Sequence, residues 1–262
     1  MQTIVSRDGT RIAFWRSGEG PPLVLVHGTM ASHNTSWGLV LPELERRFTV
    51  YAMDRRGRGG SGDSPAHDLQ REAEDVAAVV DSIGEPVNLL GHSYGGLCAS
   101  EAALLTPNLH RLILYEAVHL RGADASTPGF IDRLDAMLKA GDVEGVLVAM
   151  LRERLEMPPE EIALLRSQQD AWAVRLANAP AIPRELRAVE RYTFAPERFK
   201  SMRVPTLLLV GENSPSLYLR DAKGVATGLP DARVVVLPGQ RHVAMLTAPE
   251  LFVREVTRFV EE

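Results

Sequence analysis

Gly91-His92-Ser93-Tyr94-Gly95 is the stretch of this 262-residue sequence best suited to covalent chemistry. It joins an apolar run, Val87 to Leu90, to the residues that open a helix at Leu97. A serine hydroxyl becomes a competent nucleophile only when it is exposed, aligned with a base and faced by donors for the developing oxyanion. A G-x-S-x-G turn between a strand and a helix meets the first need, because its glycines allow the tight bend and the serine is pushed into a strained backbone conformation with Oγ outward. The helix N-terminus behind it adds unpaired N–H groups and a favourable dipole. These features predict a nucleophile at Ser93.

The flanking elements must then hold this turn. Short, wholly apolar runs recur at Pro22–Val26, Phe48–Met53, Val87–Leu90, Leu112–Tyr115, Thr206–Val210 and Arg233–Leu237, the pattern of strands covered on both faces. An Asp8-Gly9 turn between Thr3–Ser6 and Arg11–Arg16 predicts a leading hairpin. Helical spacing predicts helices over 72–83, stopping at Gly84, over 97–105, and over 249–260. Strands alternating with helices predict an α/β fold with a mostly parallel sheet. The rhythm breaks over 120–202, where only helix-like segments (131–139, 143–155, 159–176, 184–191) and scattered prolines occur. The expected organisation is therefore a core of residues 1–119 and 203–262 with a helical lid, 120–202, over the sheet's C-terminal edge, where ligands bind in open α/β sheets.

Composition narrows the partners. A net charge of -5 argues against nucleic acid, and no apolar stretch approaches the ~20 residues of a membrane span. The first residues lack the basic-then-apolar pattern of a signal peptide, so a cytoplasmic location is expected. Cys98 is the single cysteine and reads as a small buried hydrophobe rather than a nucleophile. The run Arg55-Arg56-Gly57-Arg58 reads as a solvated, internally salt-bridged loop. No metal-ligand spacing or phosphate loop points to a cofactor. Nothing in the sequence speaks to oligomeric state.

Taken together, the chain resembles the α/β-hydrolase superfamily over its whole length apart from the variable 120–202 segment. The resemblance rests on the Ser93 turn, on His27-Gly28-Thr29-Met30 after a strand, which is similar to the family's oxyanion loop, and on the glycine-rich Asp54-Arg55-Arg56-Gly57-Arg58-Gly59-Gly60-Ser61. It implies an eight-stranded, mostly parallel sheet and an oxyanion hole built from the Thr29 and Tyr94 N–H groups. It also implies a base late in the chain, and among the seven histidines His242, in Pro238-Gly239-Gln240-Arg241-His242, resembles the family's G-x-x-H loop. His27 reads as a loop-ordering residue and His92 as packing.

The acid departs from the usual pattern. Most relatives carry an aspartate just beyond the strand that here reads 207–210, and Ser214 stands in its place. Some members, certain haloalkane dehalogenases among them, carry a glutamate at the end of the preceding strand, and Tyr115-Glu116-Ala117 looks like that arrangement. Their nucleophile is an aspartate, so dehalogenation is not implied by Ser93. Glu116 is the expected acid, with Glu212, Asp221 or no acid as alternatives. Trp37, Trp172 and His119 are expected to contact the substrate, with His33, Phe130, Met137, Met150 and Met157 as further pocket candidates. The reaction implied is hydrolysis of a carboxylic ester, lactone or thioester of a small-molecule acyl substrate, without cofactor or metal. Amide or C–C hydrolysis, acyl transfer, peracid formation and a non-catalytic receptor or scaffold are the alternatives.

Overall fold

The computed structural model describes residues 1–118 and 128–262. The chain runs β1 (Gln2–Val5), β2 (Arg11–Ser17), β3 (Pro22–Val26), α1 (His33–Trp37), α2 (Leu41–Leu44), β4 (Thr49–Met53), α3 (Leu69–Ile83), β5 (Val87–His92), α4 (Tyr94–Ala102) and β6 (Leu109–Tyr115). It continues through α5 (Phe130–Lys139), α6 (Val143–Ala149), α7 (Pro159–Ser167), α8 (Gln169–Asn178) and α9 (Ile182–Arg191). The last part comprises β7 (Thr206–Gly211), α10 (Ser216–Gly228), β8 (Ala232–Leu237), α11 (Ala244–Thr247) and α12 (Pro249–Glu261). Among the described residues the strands form one eight-stranded sheet, ordered β1-β2-β4-β3-β5-β6-β7-β8. β1–β2 and β2–β4 are antiparallel and every other pair is parallel.

The burial pattern explains this layering. β3, β5 and β7 are buried along their whole length, as strands sandwiched between helices must be. One face packs against α3 and α4 through Val76, Val80, Leu97 and Ala99. The other packs against α1 and α12 through Trp37, Phe252 and Val256. α3 begins at its cap, Asp68, whose side chain accepts from Arg71 N–H, and stops at Gly84 at φ 80°. A stop in the left-handed region favours glycine. α4 starts directly at Tyr94, three residues before the position where apolar spacing becomes visible at Leu97, because the first turn is made of the close-packed glycines 95 and 96.

Helices α5 to α9 lie between β6 and β7 and have an apolar core of their own, including Leu134, Leu147, Trp172 and Ile182. α7 and α8 divide what the sequence reads as one helical stretch, because Gln168 leaves the helical region at ψ 77°. Among the described residues no helix is long and apolar enough to cross a membrane.

The Arg55–Arg58 run corrects the expectation of a solvated loop. Arg55, Arg56 and Arg58 are 1%, 0% and 2% exposed. The reason is tertiary: the carboxylates that neutralise them come from remote elements. Arg55 donates to Glu72 of α3 at 2.7 and 2.8 Å and to Glu185 of α9 at 2.5 Å. Arg58 also donates to Glu185, and Arg56 donates to Asp75 at 2.6 and 2.8 Å and to Asp8 at 3.0 Å. Buried charges paired on several sides in this way avoid the penalty of a lone buried ion.

Candidate active site

Ser93 stands between β5 and α4 at φ 55°, ψ -125°, a conformation that costs a non-glycine residue about 1–3 kcal/mol. The turn is tight because its neighbours have no side chains. A Cβ on Gly95 would lie 2.2 Å from the His27 carbonyl oxygen, and one on Gly91 would lie 2.6 Å from the Gly95 oxygen. Ser93 N–H donates to Tyr115 O at 2.9 Å, which ties the turn to the end of β6. Three of the four non-glycine residues at positive φ among the described residues surround this point: Met30, Ser93 and Glu116.

Glu116 follows β6 directly, at φ 44°, and its N–H donates to Leu209 O of β7 at 3.0 Å. Its buried carboxylate accepts from Gly211 N–H at 2.8 Å through Oε1 and meets His242 Nδ1 at 2.6 Å through Oε2. The carboxylate on Nδ1 makes that nitrogen the donor and leaves Nε2 free of a proton in the neutral ring. His242 sits on the loop after β8 and lines the same cavity as Ser93. The alternatives for the acid lie elsewhere: Glu212 is exposed and accepts from Gly239 N–H at 2.7 Å, and Asp221 is buried within α10.

Two residues hold the His242 loop whose signal in the sequence was weak. The Tyr115 hydroxyl donates to Arg241 O and accepts from Ala244 N–H at 3.0 Å, so it clamps both sides of His242. His92 Nε2 donates to the His242 carbonyl at 2.8 Å. Burial and the neighbouring His242 push the His92 pKa well below the usual imidazole range, so the ring is a neutral tether. An aromatic residue before Glu116 and a histidine before Ser93 are compatible with plain packing, which is why the sequence does not disclose these hydrogen bonds.

The loop after β3 is organised by His27. Its Nδ1 faces Gly28 O at 2.9 Å and its Nε2 accepts from Arg55 N–H at 3.1 Å. Complete burial is the main cause that lowers its pKa to about 4, so the ring is neutral with the proton on Nδ1. Thr29 and Tyr94 both lie beside Ser93, and neither N–H donates to another backbone carbonyl among the described residues. The buried ionic cluster backs both. Arg55 stacks on the Tyr94 ring at 4.5 Å, and Thr29 and Glu185 line the same cavity.

Ser93 lines two adjoining chambers, which also share Thr29, Met150 and Leu155. The larger, about 550 Å³, is lined by Thr29, Ser36, Met150, Leu155, Arg175 and His242 among others. The smaller, about 340 Å³, is lined by Tyr94, Val118, Arg154, Glu185, Leu186 and Tyr218. Met150 and Met157 line the larger chamber and also belong to the core of the α5–α9 insertion. Other candidates fall away from the chamber. Trp37 is fully buried against Phe252, with His92 at its edge, and is not among the residues lining the cavity. Its apolar surface is used by the α12 packing layer. Trp172 and Phe130 belong to the core of the α5–α9 insertion, and His33 stacks on Trp15 and bonds to Asp54 at 2.9 Å. His119 lies outside the described residues. Cys98 is buried within α4, and its thiol is pushed far above its usual pKa by burial. No cluster of three or more metal-ligating side chains occurs among the described residues.

Comparison with known proteins agrees with this architecture. Residues 23–255 match the alpha/beta hydrolase family. An alpha/beta hydrolase from Sphaerobacter thermophilus superposes with a TM-score of 0.83 at 35% identity, covering 99% of both chains. A pimeloyl-[acyl-carrier protein] methyl ester esterase from Nitrosomonas europaea is 28% identical over 90% of this chain and 94% of its own length. A 2-(acetamidomethylene)succinate hydrolase from Mesorhizobium japonicum is 27% identical over 93% of this chain and 89% of its own. The chain belongs to the alpha/beta hydrolase family and is a hydrolase.

Proposed function

We propose that the protein hydrolyses a carboxylic ester, lactone or thioester through an acyl-enzyme on Ser93, with His242 as general base and Glu116 as the acid that orients it. The observation that carries this reading is the 2.6 Å contact between His242 Nδ1 and the buried Glu116 carboxylate, on a loop that shares the Ser93 cavity. His242 Nε2 takes the Ser93 proton as Oγ attacks the acyl carbon. The resulting imidazolium is stabilised by Glu116, and the oxyanion is met by the Thr29 and Tyr94 N–H groups. Collapse returns the proton to the leaving oxygen or sulfur. Water, deprotonated by His242, then releases the acid and restores Ser93.

The two chambers that Ser93 lines suit the two halves of a small substrate, and helices α6–α9 act as the lid that walls them. The methyl ester esterase named above supports an ester bond as the target. Labelling with a fluorophosphonate probe tests the reading. Covalent modification mapped to Ser93, lost in Ser93→Ala, together with a burst of leaving group from an activated ester, is expected. Absence of labelling in the folded protein refutes it.

A further inference from the structure

The larger chamber is mostly apolar, yet among the described residues its wall carries one guanidinium. Arg175 of α8 lines the cavity together with Ser93 and His242 and is only 6% exposed. Its single hydrogen bond among the described residues is a long one, from Nη2 to Thr35 O at 3.4 Å. Nη1 is buried and has no partner there. The other arginines in the buried set, Arg55, Arg56 and Arg58, are each neutralised by carboxylates. Among the described residues Arg175 has no such counter-charge; burial alone acts on it and lowers its pKa.

A buried ion without a counter-ion is penalised in a folded protein unless something outside the chain completes it. The guanidinium fork matches a carboxylate, with two parallel N–H···O bonds available to one planar anion. We propose that Arg175 is an anion subsite of this hydrolase and that its substrate carries a free carboxylate on the chain that enters the larger chamber. This rests on the reading of Ser93 as the nucleophile. The chamber, about 550 Å³ with openings to solvent included, suits a short acyl chain bearing one such group. The insertion then selects substrates as well as covering them: Asn178, one turn beyond Arg175, donates to Ala31 O at 3.0 Å, which fixes α8 against the oxyanion loop.

The test uses p-nitrophenyl half-esters of succinate, glutarate and adipate against the same compounds capped as neutral methyl esters, measured above the uncatalysed rate. The wild-type enzyme is expected to favour at least one free carboxylate over its capped partner by about 10- to 100-fold in kcat/KM, the scale of a charge-assisted pair. Arg175→Gln should erase at least tenfold of that ratio, and Arg175→Lys should retain part of it. A ratio near one in the wild type at every chain length, or an equal loss on both members of each pair in Arg175→Gln, overturns the proposal. Binding supplies a readout independent of turnover. Adipate, glutarate or succinate should raise the melting temperature of Ser93→Ala saturably, and the shift should vanish in Ser93→Ala/Arg175→Gln. A protein that binds the diacid through Arg175 but neither labels nor turns over refutes the Ser93 reading alone. A labelled, active enzyme without the preference refutes the Arg175 subsite alone.

Discussion

Replacing Glu116 by Gln tests the base–acid pair at a single atom. The carboxylate meets His242 Nδ1 at 2.6 Å and accepts from Gly211 N–H at 2.8 Å, and both side chains are buried. Glutamine keeps the volume and a carbonyl oxygen, so packing should persist. Two things change. The negative charge that stabilises the imidazolium disappears; at roughly 4 Å and an effective dielectric of about 20, that charge supplies about 4 kcal/mol. In addition, the new amide can turn an N–H toward Nδ1, which puts the ring proton on Nε2, where it cannot accept from Ser93. Since about 1.4 kcal/mol is tenfold in rate, kcat should fall by about 10³–10⁴. The assay is steady-state kcat on a neutral p-nitrophenyl ester, with the rate of fluorophosphonate labelling as a second measure and circular dichroism to confirm folding. A loss smaller than about tenfold in a folded variant would refute the assignment of Glu116.

Other consequences concern stability. Glu185→Gln leaves Arg55 and Arg58 sharing one fewer buried carboxylate; breaking such a cluster should cost about 3–5 kcal/mol and lower the melting temperature by about 6–20 °C in calorimetry. Ser93→Gly and Ser93→Ala should both be inactive, but the glycine variant should be the more stable of the two by about 1–2 kcal/mol, because φ 55° strains any residue with a Cβ. Equal denaturation midpoints would argue against stored strain at the turn. His27 stays neutral in the folded protein down to about 4 but protonates near 6.5 when unfolded. The unfolded chain therefore binds the proton first as pH falls. Up to about 3 kcal/mol of stability should be lost between pH 6.5 and 4 and be fully present above 6.5. His27→Gln should flatten that slope in urea titrations at stepped pH.

Much of the fold was legible because its signals are local. The apolar strands, the Ser93 turn and the C-terminal stop at Gly84 each depend on residues within a few positions of one another. The helices that went unread, α1, α2, α10 and α11, are short or lack a clear apolar stripe, and packing against the sheet supports them instead. Trp37 and Trp172 misled because a large aromatic near a loop or on a helix has no feature that separates a pocket wall from a core. The Arg55–Arg58 run misled for the opposite reason: its partners Glu72, Asp75 and Glu185 lie 17, 19 and 130 or 127 positions away in the chain.

By itself the sequence determined the α/β alternation, the serine at a strand-to-helix turn and the single late histidine on the loop after the last strand. These follow from hydrophobic period, turn chemistry and chain order, which neighbouring residues carry between them. Only the tertiary structure decided which carboxylate meets His242, that Tyr115 and His92 tether the histidine loop, and that Arg175 reaches the cavity with no counter-charge among the described residues. Burial, pairing and desolvation are properties of residues brought together from distant parts of the chain, and no local pattern encodes which of them will meet.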